Sequence, residues 1–372
     1  MFDIALGIFL FLSPIIFLFG NNARINGTIA ALGFYQFKTL SLENNIIQLQ
    51  FFEYGIITLF IIALMRKPMR YFKDKYISWF LGLCALSVLL HPKTLSAFIL
   101  LFLGVLLYYL VVSYTKNTKN IKRLLYVIIG ISALNTLFAI LQFFKINIIY
   151  NLWLGSIVGM MFTPSHLGAY QALALPICYA VNPFLAIIPL IGLFLSKSFT
   201  PILACFIGII YLLYPKKEKI FVNLAPMGWI ALLGIFIVLI VRNYHNAIYK
   251  FTLRLGLWKD VFMDILRQPL GYGLGTFSKI TSMGKWEISQ NEYLEIAFCI
   301  GVLAWFIAGL FLIDKFQGVK VGLERTVAAS CLIITVICLG QSPLHFPRLT
   351  GTIIPLFAFL EILKRKEGVS LK

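Results

Sequence analysis

Long apolar runs separated by short polar breaks recur along the chain from Phe2 to Leu363. Hydrocarbon requires about 20 apolar residues per helical crossing. Runs of that kind open near Phe2, Gln50, Tyr76, Leu95, Leu124, Leu167, Phe184, Thr200, Ile220, Glu292, Thr326 and Thr350. The pattern predicts an all-α fold: a polytopic integral membrane helix bundle of about 12 transmembrane helices. The first run, Phe2–Gly20, is long enough to span and has no small-residue cleavage site, so it reads as a retained span. The most crowded stretch is Leu167–Tyr214, where three crossings are interrupted by Pro176, Pro183 and Pro201. No fixed-period repeat or low-complexity tail divides the chain, so residues 1–372 read as a single transmembrane domain.

Composition removes the soluble alternative. With 60% apolar residues and only 12% charged, the chain has too little polar surface for one water-soluble core. A formal charge of +18 would suggest nucleic acid in a soluble protein, but the placement of the charges explains it without one. Basic clusters stand at Arg66–Lys75, Lys116–Arg123, Lys216–Lys219, Lys315–Arg325 and Lys364–Lys372, and hold 19 of the 32 Lys and Arg. Starting from a cytoplasmic N-terminus, the walk along the runs puts all five on the same side, as the positive-inside rule requires. The expected location is the cytoplasmic (inner) membrane, multi-pass, with both termini cytoplasmic. Six cysteines all fall inside predicted spans and read as small apolar packing residues.

One connection is unequal to the rest. Residues 242–290 form a long outer-face loop, and function in short-looped polytopic proteins tends to concentrate in such a segment. It carries seven Lys or Arg against three acids, which opposes the orientation rule and calls for a second explanation. Contact with anionic lipid headgroups is one, and a site for a phosphate-bearing substrate is the other. Leu255, Trp258, Val261, Phe262 and Ile265 recur at helical spacing, predicting an amphipathic helix over Arg254–Arg267 at the membrane surface. Pro269 stops it. The run Pro269-Leu-Gly-Tyr-Gly-Leu-Gly-Thr-Phe277 then predicts a tight path with exposed backbone N–H groups. Ser289 and Glu292 have capping-box spacing, so the tenth span is expected to start there, with Gln290, Asn291 and Glu295 at the positive end of its dipole.

These residues resemble the O-antigen ligase and O-antigen polymerase superfamily of bacterial polytopic membrane glycosyltransferases. The resemblance rests on Arg254 and Trp258, then Pro269, Gly271, Gly273 and Gly275, then Asn291, Leu294, Glu295 and Gly301, in that order on a long outer loop. Looser likenesses lie in Gly159–Ala169 and in Ser196-Lys197, where the family usually has Ser-Arg. Family ligases carry a His directly before the Asn; here that residue is Gln290, which accepts no proton near neutral pH. Repeat-unit polymerisation is therefore the expectation, with a divergent ligase second.

The resemblance implies a polyprenyl-diphosphate-linked glycan donor at the outer leaflet, a glycan or lipid-linked glycan acceptor and surrounding membrane lipid as partners, with no nucleic acid. Arg254 is the expected catalytic cation on the leaving diphosphate, because a guanidinium binds phosphate bidentately and stays charged. Lys197, Trp258, Gly271, Gly273, Asn291 and Arg348 are expected to contact substrate. No Asp-x-Asp occurs, so neither a metal nor another cofactor is expected. For the acceptor's proton the candidates are Glu295, in low-dielectric surroundings, and the histidines His166 and His345, which flank span mouths, with Gln290 beside them. A different class, a polytopic transporter or flippase for a lipid-linked or anionic substrate, would also show many spans. It would be expected to show similar halves and mid-bilayer charges, and neither is seen.

Overall fold

Helices begin where the apolar runs begin. The computed structural model describes residues 40–41, 48–49, 74–115, 118–146, 156–161, 163–213, 248–249, 251–281, 284–286, 289–320, 322–345 and 347–367. The predicted spans near Phe2, Gln50 and Ile220 lie outside the described residues. The others correspond to α1 (Lys75–Leu90), α2 (Leu95–Tyr114), α3 (Thr118–Phe143), α4 (Pro164–Val181), α5 (Ile187–Ser196) and α6 (Phe199–Leu213). Helix α7 covers residues 251–267, followed by α8 (Glu292–Ile300), α9 (Val302–Phe316), α10 (Leu323–Ile337) and α11 (Pro347–Glu367). The furthest displacement is at Leu124, where the helix already opens at Thr118. Apart from two short antiparallel ladders, β1–β2 (Leu40–Ser41 with Gln48–Leu49) and β3–β4 (Lys279–Thr281 with Gly284–Trp286), the fold is helical.

Two described helices, Pro92–Ser113 and Ile121–Phe143, are long and apolar enough to cross a membrane. At 1.5 Å per residue they exceed the roughly 30 Å of a bilayer's hydrocarbon. Helices Lys75–Leu90, Pro183–Ser196 and Phe199–Leu212 are equally apolar but shorter. The expected tenth span is corrected. It is two helices, α8 and α9, separated at Gly301, whose φ of 108° no α-helix contains.

The chain folds as two compact units. The first comprises Met1–Ile128, Asp260–Gly318 and Leu344–Lys372. Within it α11 packs on α2, and α9 on α1. One end of this unit is closed by buried charges. Lys315, 1% exposed, donates to Asp74 Oδ2 and Glu361 Oε2, each at 2.7 Å. Asp74 also caps α1 through Oδ1, which accepts from Tyr76 and Ile77 N–H, and Glu361 Oε1 pairs with Arg365 at 2.6 Å. The start of α1, the end of α9 and the last turns of α11 therefore meet around one ammonium group.

The second unit comprises Ile129–Lys259 and Val319–Pro343. Helix α4 is its centre, in contact with α5, α6 and α10. Gly208 on α6 leaves the space that Ile333 of α10 fills. A satisfied polar seam crosses the apolar interior: Ser132 donates to Gln171 Oε1 at 2.5 Å, and Gln171 Nε2 returns a bond to the Ser132 carbonyl. On α3, Gln142 accepts from the N–H groups of Val158 and Gly159 and donates to the Gly159 carbonyl, while Asn135 accepts from Met160 N–H. The segment before α4 is thus laid back along α3 over two turns, instead of looping away from it.

Candidate functional site

The start of α8 is built by a residue in an unusual conformation. Gln290 has φ 57°, the left-handed region that non-glycine residues seldom enter. The resulting turn makes Asn291 the N-cap: its Oδ1 accepts from Tyr293 and Leu294 N–H at 3.0 and 3.1 Å. The expected Ser289–Glu292 capping box is corrected accordingly. Ser289 instead accepts from Asn291 N–H and donates to the Asn291 carbonyl. Glu295 reaches back, its Oε2 taking Ser289 N–H at 3.1 Å and lying 3.0 Å from Ser289 Oγ. Glu292 is turned elsewhere, with Oε1 accepting Leu344 N–H at 2.7 Å. Ser289, Asn291, Glu292 and Glu295 are all buried, so four polar side chains converge on one helix N-terminus.

The other end of α8 explains the glycine motif. Its last carbonyls have no helical partners, because the chain breaks at Gly301, and the glycine-rich run supplies them. Tyr272 N–H donates to the Phe298 carbonyl and Gly273 N–H to that of Cys299, while Val302 N–H returns to the Pro269 carbonyl. The N–H groups of Gly271 and Gly273, expected to be exposed, are therefore committed within the protein, Gly271 to the Gln268 carbonyl. A Cβ on Gly271 would lie 2.6 Å from the Cys299 carbonyl oxygen, and one on Gly301 would lie 2.7 Å from that of Pro269. Two backbones thus touch where only glycines fit. Gly271→Ala, at φ 87°, is expected to cost roughly 2–4 kcal/mol from strain and overlap together. Thermal unfolding of the detergent-solubilised chain measures this, and an unchanged midpoint would contradict the assignment.

Helix α7 ends at Arg267, before Pro269, as expected. Its packed stripe is Leu257, Val261 and Ile265, whereas Leu255 and Phe262, expected on that face, are 46% and 52% exposed. Trp258 is half-buried and meets Phe251 edge-on at 6.2 Å. Arg254 is also half-buried, and burial pushes its guanidinium below the ordinary value. Among the described residues it has no hydrogen-bond or ion-pair partner. A guanidinium so placed loses water that an anion would normally replace.

In the second unit the neighbours of His166 and Lys197, Ser165 and Ser198, approach each other. His166 is buried in the first turn of α4, where its N–H donates to the Thr163 cap. Lys197 is exposed at φ 50° in the tight α5–α6 turn. Ser198 Oγ lies 3.4 Å from Ser165 Oγ, and Gln341 Nε2 donates to Ser198, so three chain segments meet there. Gly168 permits the approach, since a Cβ on it would be 2.8 Å from Ser196 Oγ. In the first unit His345 ends the 3-10 turn Pro343–His345 and Arg348 lies in α11, but their side chains are outside the described residues. Among the described residues no group of three His, Cys, Asp or Glu is arranged to hold a metal ion. Sequence reasoning passed over Leu344 and Thr350, and read Ser289 as a cap rather than as the partner of Glu295. Of these only Ser289, two residues before a cap, carries a local signal. The chain matches no protein-family model, and no curated protein shows significant similarity to it.

Proposed function

We propose that the chain is a multi-pass glycosyltransferase of the O-antigen ligase and polymerase type. It would act on polyprenyl-diphosphate-linked glycan at the outer face of the cytoplasmic membrane, most simply joining repeat units. The observation that carries this reading is Arg254: a half-buried guanidinium without an anionic partner among the described residues, on the helix where the resemblance begins. A diphosphate leaving group would give this guanidinium an anionic partner.

The polytopic arrangement is supported by which ends touch. In the first unit Asp74, Lys315 and Glu361, all at cytoplasmic ends in the predicted topology, share one ion cluster. At predicted outer positions of the same unit, Ser87 Oγ accepts Leu274 N–H, and Glu292 binds Leu344. The second unit sorts likewise: Arg325 donates twice to the Tyr211 carbonyl on the cytoplasmic side, while Ser165, Ser198 and Gln341 meet on the outer side. A reporter fused after Lys217 should behave as cytoplasmic and one inserted near Lys279 as translocated. If both report one side, the outer-site reading fails.

Chemically, an acceptor hydroxyl oxygen attacks the anomeric carbon of the donor. The bond from that carbon to the diphosphate oxygen breaks, the lipid diphosphate leaves with the electron pair, and the hydroxyl proton passes to a base. Arg254 stabilises the charge growing on phosphate oxygen. Glu295 Oε2 holds the Ser289 turn, and the proton acceptor is one of the sequence candidates Glu295, His166 and His345. Purified chain in nanodiscs should convert a lipid-linked repeat unit into longer lipid-linked glycan. Movement of that lipid across the bilayer with no new glycosidic bond would instead establish a flippase.

A further inference from the structure

Two buried glutamines of the second unit are used differently. Gln171 spends both ends of its carboxamide, Oε1 accepting from Ser132 at 2.5 Å and Nε2 donating to the Ser132 carbonyl at 3.1 Å. Gln341, just past the end of α10 and 4% exposed, spends only one: Nε2 reaches Ser198 Oγ at 3.3 Å. Its Oε1 is buried with no hydrogen-bond partner among the described residues, and so is the Oγ of the adjacent Ser342. A buried amide oxygen without a donor has given up its hydration for nothing within the chain. That oxygen has a defined place. It shares a carboxamide with Nε2, so it lies at the junction of the chain after α10, the α5–α6 turn and the first turn of α4. Gly340 lets the first of these approach α6, since a Cβ on it would be 3.1 Å from Thr200 Cγ2. The junction's own bonds are slack: Ser198 Oγ and Ser165 Oγ stand 3.4 Å apart, against roughly 2.7–2.8 Å for an ordinary hydroxyl pair. Both serines are half-buried, so the junction reaches the surface through them.

Resting on the transferase reading, we infer that this junction is a recognition subsite for a sugar hydroxyl of the glycan, with Gln341 as its specificity-determining residue. The groups gathered there are a carboxamide and hydroxyls, none of them charged. A sugar hydroxyl donates its proton to Gln341 Oε1 and accepts from a serine hydroxyl, a pairing that neither a carboxylate nor an ammonium can make. A site built this way discriminates against an analogue that lacks the hydroxyl, because the buried oxygen is then left unpaired.

The test compares Gln341→Met with Gln171→Met, each as full-length chain in phosphatidylcholine nanodiscs, whose headgroups carry no hydroxyl. Methionine keeps the length of the side chain and removes the amide. The probes are the methyl glycosides of glucose, galactose, mannose and N-acetylglucosamine and of the deoxy sugars fucose and rhamnose, followed by saturation-transfer NMR. At least one glycoside should bind wild type, and bind Gln341→Met about tenfold more weakly. Without sugar, Gln341→Met should unfold at or above the wild-type temperature, because it removes an unpaired buried oxygen. Gln171→Met should unfold below it, because Ser132 loses its partner. A Gln341→Met midpoint as low as that of Gln171→Met would make Gln341 structural and overturn the subsite, as would a panel in which no glycoside binds. Displacement of the sugar by added phosphatidylglycerol would assign the hydroxyl to a lipid headgroup and overturn it too. Transfer is read separately, from glycosidic-bond formation on a polyprenyl-diphosphate-linked repeat unit. Bond formation without Gln341-dependent sugar binding sinks the subsite alone, and Gln341-dependent binding without bond formation sinks the transferase reading alone.

Discussion

Arg254→Lys is expected to leave the chain folded and inserted while slowing glycan transfer by about 100- to 1,000-fold, the loss seen when one transition-state donor is removed. The substitution keeps a positive charge and most of the apolar stem, so packing of α7 through Leu257, Val261 and Ile265 is untouched. It removes the planar fork that engages two phosphate oxygens at once. Burial lowers the guanidinium's pKa, and among the described residues nothing offsets that loss of water. On the transferase reading, an anion arriving with substrate would relieve the loss of water, most strongly when its charge is greatest, at bond cleavage. The length distribution of lipid-linked glycan in membranes carrying each variant is the measurement. Full-length product from Arg254→Ala would remove Arg254 from the mechanism.

Lys315→Ala should be the most damaging single change to stability, at about 3–5 kcal/mol, because it removes a buried ammonium from two half-buried carboxylates. Asp74 and Glu361 both direct an oxygen to the same ammonium group, so its loss leaves their mutual repulsion offset only by Arg365, which pairs with Glu361 alone. Combining Lys315→Met with Asp74→Asn and Glu361→Gln should recover most of the loss. Asn still caps α1, the three substituted positions carry no charge to desolvate, and Arg365, largely exposed, keeps its water. Denaturant or thermal unfolding in detergent reads both. If the triple variant is no better than Lys315→Ala, the cluster's value lies in its shape rather than its charges.

Where a property repeats along the chain, it was legible. Apolar runs with basic breaks located the helix starts from Lys75 to Pro347, and Pro269 marked the end of α7. What escaped was set by single residues in rare conformations or by distant partners. A glycine inside an apolar run is usually tolerated, so nothing local announced that Gly301 divides α8 from α9. A left-handed Gln290 displaced the cap from Ser289 to Asn291, and no propensity predicts glutamine there. Helix α7 has apolar residues on two faces. Periodicity alone could not tell the packed stripe from exposed Phe251, Leu255, Phe262 and Leu266. Glu292 was read as a cap because its partner, Leu344, lies 52 residues away.

The exchange of backbone bonds between the glycine-rich run and the end of α8 makes these two stretches thermodynamically inseparable. Withdrawing residues 269–273 would orphan the Phe298 and Cys299 carbonyls and the Val302 N–H together, each at about 1–3 kcal/mol. They open as one cooperative unit or not at all, so the amides of Tyr272, Gly273 and Val302 should share a single opening free energy. A substrate that shifts the loop must therefore carry the half-helix with it. The N-terminus of α8, at the opposite end of the same nine residues, is thereby coupled to the glycine-rich run.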